Sequence, residues 1–495
     1  MHNDKEKSID KYSSRMNSKS LSAIFLMALT FAACDRSGSE SLDNKNVSYS
    51  ITNVNDVSDG ASFIEDCITR LYDGLYRNND SNGLMQSGNA NGTDNTDIAE
   101  SLGLPSKEEL IACLCESSSR ATVTGNPISC FNYRIISYTY RTTDQNNTPI
   151  TLSSVLAIPY IDWYTYELMS PEFINIDCHS TIIGNPESPT SQNPNSLLLA
   201  LNGALVVCPD YQGFGSSFDS DQLYLCNEVG ARQVMDATIA AVKILKDEYG
   251  VELADGYYTQ VTGYGQGGAM AVAVSRAIET MSADEKDIFD FNLKQTFCGS
   301  VPFDIKSTAL QYLYDFYAEN PALIPLLIKG QMSGNADLFQ NISYNDYFTP
   351  EYLMSGIDNA FSAPKQYSLD YVNSLIHDNF GYNCFEGILS QTLLDECDLY
   401  LAEQSVGRLL SPLLESLERN SLLKTGWTPE NQIWLYHPQL DQVVPYLNCE
   451  SASRQWSSCG NFHCTTNGSF NVISHFAAGY AFYIALVSGQ YTDWF

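Results

Sequence analysis

Basic residues are scarce in this sequence. Lysine and arginine together number 26 against 58 aspartates and glutamates, a formal net charge of -32. Binding a nucleic-acid duplex requires clustered Lys and Arg to neutralise phosphates, so no nucleic-acid partner is expected. The charge bears on solubility and on repulsion from anionic surfaces, and says nothing about fold. Long apolar runs are also lacking. The one near the N-terminus, Leu21 to Ala33, is too short to span a membrane, and no other stretch reads as a span. Paired Cys-x-x-Cys units and His/Cys spacings suited to zinc are absent, so neither a metal nor a cofactor is expected. What is present is apolar and aromatic mass. Of 495 residues, 44% are hydrophobic and 31 are tyrosine, which argues against general disorder. A chain of this length can bury a large core and exceeds one minimal domain. One enlarged domain with a lid and two closely packed domains both fit.

The N-terminus carries an export signature. Lys5, Lys7, Lys11, Arg15 and Lys19 precede the apolar run, which ends at Phe31-Ala32-Ala33-Cys34. A basic segment, a short apolar segment and small residues before the cut make a secretory signal. The ending resembles a bacterial lipobox, in which the cysteine is acylated and becomes the mature N-terminus. The resemblance implies a signal peptide over residues 1–34 and a lipidated Cys34. Acyl chains would then be the anchor to a membrane of the cell envelope or surface. A plain signal with an unrelated Cys34 is the alternative, and Met16 offers a second start. With Cys34 set aside, the remaining 13 of 14 cysteines are an odd number, so at least one is free if the rest pair. Export permits disulfides. Cys449, Cys459 and Cys464 cluster in a loop-like stretch and are candidate partners.

Residues 35–60 are polar and read as a tether. Ile64–Tyr76 and Lys107–Cys115 have helical character, and the Asn/Gly/Ser/Asp-dense Asn78–Asp97 between them reads as a loop. Two β-rich runs, 134–140 and 150–158, flank a turn cluster and predict an antiparallel hairpin. Short strands follow at 173–178, 204–208, 258–262 and 293–298, with helices at 231–245 and 269–278. Ala204 to Cys208 is wholly apolar, as a strand buried on both faces requires. Alternating strands and helices predict an α/β fold, a mostly parallel sheet with helices on both faces. Residues 303–428 break the alternation with helical, apolar-periodic pieces before a last strand at 432–436. They are expected to form a helical lid over the carboxyl ends of the strands, between a first domain part at 61–302 and a C-terminal part at 429–495. No internal repeat is found.

Between a predicted strand and a predicted helix lies Gly263-Tyr264-Gly265-Gln266-Gly267-Gly268. This is the strand–turn–helix context of a nucleophile elbow, in which the positions two before and two after the nucleophile must be tiny. Gly263 and Gly267 meet that need, and Gly265 stands where the serine would be. A phosphate-binding glycine turn is the rival reading, and the dinucleotide spacing is not followed closely.

On these residues the chain resembles the α/β-hydrolase superfamily, near the secretory-lipase-like esterases, from about Tyr133 onward. His179-Ser180-Thr181, Val206 to Gly215 and Gly299 to Asp304 add to the likeness. The resemblance implies Asp441 as the acid and His475 as the general base, in the chain order of that superfamily. It implies oxyanion donors at the Gln266 amide and in the loop around Ser180. It also implies a carboxylic-ester hydrolase of esterase or lipase type, acting on a small-molecule ester or lipid. With glycine at 265 such a site would be impaired. The alternative is a pseudoenzyme whose pocket binds a lipid, ester or peptide. The lesser alternatives are that Asp441 serves only its own turn and His475 only the core. His179 either orients the oxyanion loop or packs there, and Asp210 would bond within its loop. His377, His437 and His463 carry no arguable role.

Overall fold

The computed structural model describes residues 47–57, 60–80, 98–119, 133–159, 168, 170–314, 319–423, 426–465 and 473–491. The signal segment, Cys34, the first part of the expected tether and most of the Asn78–Asp97 loop lie outside the described residues.

Nine strands form one sheet: β1 (Tyr49–Val57), β2 (Tyr133–Thr143), β3 (Pro149–Pro159), β4 (Phe173–Cys178), β5 (Ala204–Pro209), β6 (Tyr258–Tyr264), β7 (Leu293–Gly299), β8 (Gln432–Tyr436) and β9 (Phe462–Thr465). Their spatial order is β1-β2-β3-β5-β4-β6-β7-β8-β9. The first three strands and the β3–β5 pairing are antiparallel, and from β5 onward every pairing is parallel. The turn of the β2–β3 hairpin is closed by Asp144, whose carboxylate accepts from the amides of Asn146 and Thr148, each at 2.8 Å. This is the local side-chain chemistry that makes Asp a turn residue.

The wholly apolar run of β5 divides between two cores. Ala204, Val206 and Cys208 face one of them, and Leu205 and Val207 the other. Strand side chains alternate between faces, so a strand covered on both sides has no polar positions to spare. On one face pack α1 (Gly60–Asp80) and the C-terminal helix, α8 (His475–Ser488). α1 offers Ile64, Ile68, Leu71, Tyr72 and Leu75, a stripe at helical spacing. On the other face lie α2 (Asn227–Tyr249) and α3 (Gln266–Glu279).

Between β7 and β8 the described residues contain no strand of the sheet. They form helices, among them α4 (Ile305–Tyr314), α5 (Leu323–Gly334) and α6 (Leu410–Arg419), with one isolated bridge from Phe348 to Leu389. No described helix is long and apolar enough to cross a membrane.

Two regions differ from the sequence reading. The tether assigned to residues 35–60 includes β1, an edge strand paired with β2 and held there by a double hydrogen bond from Arg134 to Asp56, at 2.7 and 3.0 Å. Its polar sequence hides it, because most of this edge strand is exposed and only Tyr49, Ile51 and Val57 pack partly against the cores. The cysteine-rich stretch read as loop-like holds α7 (Leu447–Gln455) and β9, which Cys449 and Cys464 join by a disulfide.

The carboxylate of Asp210, just past β5, knits three segments. It accepts from Ser153 Oγ on β3 at 2.6 Å, and from Thr190 N at 2.8 Å and Oγ1 at 2.5 Å. Burial pushes this carboxyl up to about 6 from its ordinary 3.8, against the lowering effect of those donors. Between those two values the unfolded chain has released the proton and the folded chain still holds it. Raising the pH through this window therefore destabilises the fold, by about 3 kcal/mol for this group. Asp210→Asn should remove that loss. Denaturant titrations of both proteins should show the gap moving in favour of the variant as pH rises through the window, whereas a constant gap would refute the assignment.

Candidate active site

β6 ends at Tyr264 and α3 begins at Gln266, so one residue makes the turn between them. That residue, Gly265, has φ +59° and ψ -119°, a conformation in which side chains are strained. Its amide donates to Gly299 O at the end of β7, at 2.9 Å. The flanking glycines are required by contact. A Cβ on Gly263 would collide with the carbonyl of Gly267, and one on Gly267 with the carbonyl of Cys178 at the end of β4. The turn is thus held against two neighbouring strands.

His475 comes from a different element. Ser474 caps α8, its hydroxyl accepting from Ala477 N at 3.1 Å and donating to Asn78 O at 3.1 Å. This fixes His475 at the first helical position. Its ring packs on that of Tyr264, with centroids 5.1 Å apart, and the Tyr264 hydroxyl in turn accepts from Ser300 Oγ at 2.7 Å. His475 Nδ1 lies 2.7 Å from Asp441 Oδ2. The other oxygen of Asp441 accepts from Val443 N at 2.9 Å and Val444 N at 2.8 Å. Asp441 therefore serves its own turn and His475 at once. Burial acts to raise this carboxyl, but His475 and the surrounding donors outweigh it and hold it below the usual carboxylate range. An ionised Asp441 makes Nδ1 the protonated nitrogen and leaves Nε2 with a lone pair. Nε2 has no hydrogen-bond partner among the described residues.

A Cβ built on Gly265 would point at that lone pair, 3.3 Å from Nε2. Gly265, Asp441 and His475, read from three separated stretches, are brought together at the carboxyl ends of β6 and β8. Gln266 opens α3, and its amide has no acceptor among the described residues. Nor do the amides of Ser180 and Thr181. Ser180 lines one cavity beside Gly265, while Thr181 lines two, which makes it a second candidate donor that the sequence did not single out. His179 is buried, its ring stacked on Tyr211 at 4.0 Å and its nitrogens 2.7 Å from Ser180 O and 3.2 Å from Asp210 O. Burial pushes it down to about 4. It packs as a neutral ring and braces the loop that carries Ser180.

His437 also gains a place. It is buried, and its Nε2 lies 2.9 Å from Val444 O. It thereby pins the far side of the turn whose amides hold Asp441. No motif signals this, because the contact closes a seven-residue loop. His463 stacks on Trp434 and His377 packs at a tilt against Tyr382, and neither lines the cavities beside Gly265.

Gly265 and His475 line two cavities. One, of about 320 Å³, has a mixed lining in which Leu71, Ile182 and Phe476 stand beside Asp177, Glu187 and Asn195. The other, of about 60 Å³, is apolar and lies against the helical block, with Ile305, Ala309, Leu323, Ile324 and Leu327 in its wall. Among the described residues no group of three or more His, Cys, Asp or Glu is placed to hold a metal ion.

Strand order, elbow and site position together define the α/β-hydrolase fold. The comparisons agree. A rice cell wall degrading esterase from Xanthomonas oryzae superposes with a TM-score of 0.58 at 20% identity, covering 73% of this chain and 90% of that one. A protein from Legionella pneumophila superposes with a TM-score of 0.60 at 15% identity, covering 90% and 98%. A secreted triacylglycerol lipase of Malassezia furfur is 24% identical over 260 residues, 52% of this chain. The match spans 57% of that lipase, little more than half its length. No family model matches the sequence.

Proposed function

We propose that this chain is an exported lipoprotein built on the carboxylic-ester hydrolase plan, with acid, base and oxyanion donors arranged for acyl transfer and the covalent nucleophile withheld at Gly265. One observation carries the reading. An ideal Cβ on Gly265 would lie 3.3 Å from His475 Nε2, while Nδ1 of the same ring meets Asp441 at 2.7 Å. This is the relation that nucleophile, base and orienting acid need for attack on a carbonyl. The Gln266 amide, at the positive end of α3, would face the developing oxyanion, with a second donor from the Ser180–Thr181 loop. The esterase and lipase named above support an ester or lipid as substrate. The block between β7 and β8 acts as a lid, since its helices wall the apolar cavity beside Gly265. Without a side chain at 265 no acyl-enzyme can form there, so turnover is strongly impaired. The glycine itself favours a second reading, in which the pocket binds an ester, lipid or peptide and releases it unchanged.

Gly265→Ser discriminates between them. The new hydroxyl should come within reach of Nε2, bringing labelling by a fluorophosphonate probe and a gain in p-nitrophenyl ester turnover of about 10³-fold or more. His475→Ala added to that variant should abolish both. The variant should also be less stable by about 1 kcal/mol, because serine must accept the strained backbone. No labelling and no gain in a folded variant would leave the binding reading. The anchor is tested separately: Cys34→Ser should move the protein from the detergent phase to the aqueous phase, and unchanged partitioning would contradict acylation.

A further inference from the structure

Glycine at 265 leaves a defined space in front of a prepared base. A Cβ there would meet Nε2 of His475 at 3.3 Å and Cε1 at 3.7 Å, and beyond its own chain neighbours it would meet no other atom of the described residues within 4 Å. Gly265 and His475 line both cavities. Nε2 carries a lone pair, has no partner among the described residues, and sits on a ring oriented by Asp441 and packed on Tyr264. A hydroxyl-sized donor placed on that lone pair would occupy the position a nucleophile side chain takes in the fold. It would lie beside the unengaged Gln266 amide.

We propose that His475 acts here on water directly, so that the protein hydrolyses esters in a single displacement with no acyl-enzyme. This rests on the acyl-transfer reading of the site. A water seated beside Gly265 donates to Nε2. As its oxygen bonds to the ester carbonyl carbon, one proton passes to Nε2 and the carbonyl electron pair moves onto the oxygen facing the Gln266 amide. Asp441 stabilises the imidazolium without taking the proton. Collapse of the tetrahedral intermediate breaks the bond to the leaving oxygen, which takes the proton from Nε2. One water and one ester give one carboxylic acid and one alcohol, and the imidazole is neutral again. General-base assistance of this kind contributes about 10²–10⁴-fold, so the turnover is slow beside that of a serine enzyme.

The test uses the full-length protein and p-nitrophenyl acetate. Native protein should give slow, linear turnover without a burst, insensitive to fluorophosphonate, and without an acyl adduct in the intact mass of quenched reactions. His475→Ala should lower the rate by about 10²-fold, and free imidazole should restore part of it. Gly265→Ala should lose the same activity because its methyl takes the water's place, and imidazole should not restore it. The His475→Ala arm stands even if the alanine at 265 strains the fold. Native turnover equal to that of His475→Ala, an acyl adduct on the native chain, or a folded Gly265→Ala as active as native would each overturn the proposal. If Gly265→Ser is active and the native chain shows no His475-dependent turnover, the water mechanism alone falls. If Gly265→Ser is also inert, the acyl-transfer reading falls with it.

Discussion

The site depends on how closely a helix start can approach a strand end. α3 begins one residue after β6 finishes, and the carbonyl of Cys178 at the end of β4 lies where a side chain on Gly267 would have to go. Gly263 faces the carbonyl of Gly267 in the same way. These contacts leave only glycine at both places and force the residue between them into a left-handed backbone. The buried N-terminus of α3 then faces the space beside that residue, with its first amides unspent. A chain that turned more loosely here could fold, but it would not aim position 265 at α8.

The other groups reach this point along independent routes. Asp441 is held by its own turn, Val443 and Val444 supplying the amides and His437 fixing Val444 from behind. His475 is held by the Ser474 cap and by the ring of Tyr264. Each route would be unfavourable alone, since it buries a carboxylate or an imidazole. Together the two groups satisfy one another, and the carboxylate stays ionised in a buried setting. The arrangement owes nothing to residue 265, which is why a glycine there leaves it standing.

Much of this was legible in the sequence, for physical reasons. The run from Ala204 to Cys208 announces a strand covered on both faces, and the glycines at 263 and 267 announce a tight strand-to-helix turn. Both features follow from packing that polar or larger residues would break. Asp441 after a strand and His475 before an apolar helix were legible only through the resemblance to the superfamily, which implies an acid and a base at those places in the chain. Other parts left no trace. β1 is an edge strand whose pairing comes from β2, so its Asn- and Asp-rich sequence reads as a tether. The strand β9 is short and lies among cysteines that mimic a loop. His437 matters through a contact across its loop, which residue spacing does not encode. The larger cavity beside Gly265 is walled by residues of α1, α8 and the helical block together, which no single stretch of sequence encodes.

The proposed function requires oxyanion donors and a base poised around Gly265. A crystal structure of the native protein with a short-chain alkylphosphonate monoester, a tetrahedral anion, tests this most directly. One phosphonate oxygen should lie within hydrogen-bond distance of the Gln266 amide and another within reach of His475 Nε2, with Asp441 still on Nδ1. A phosphonate bound outside both cavities, or Asp441 and His475 found apart, would contradict it.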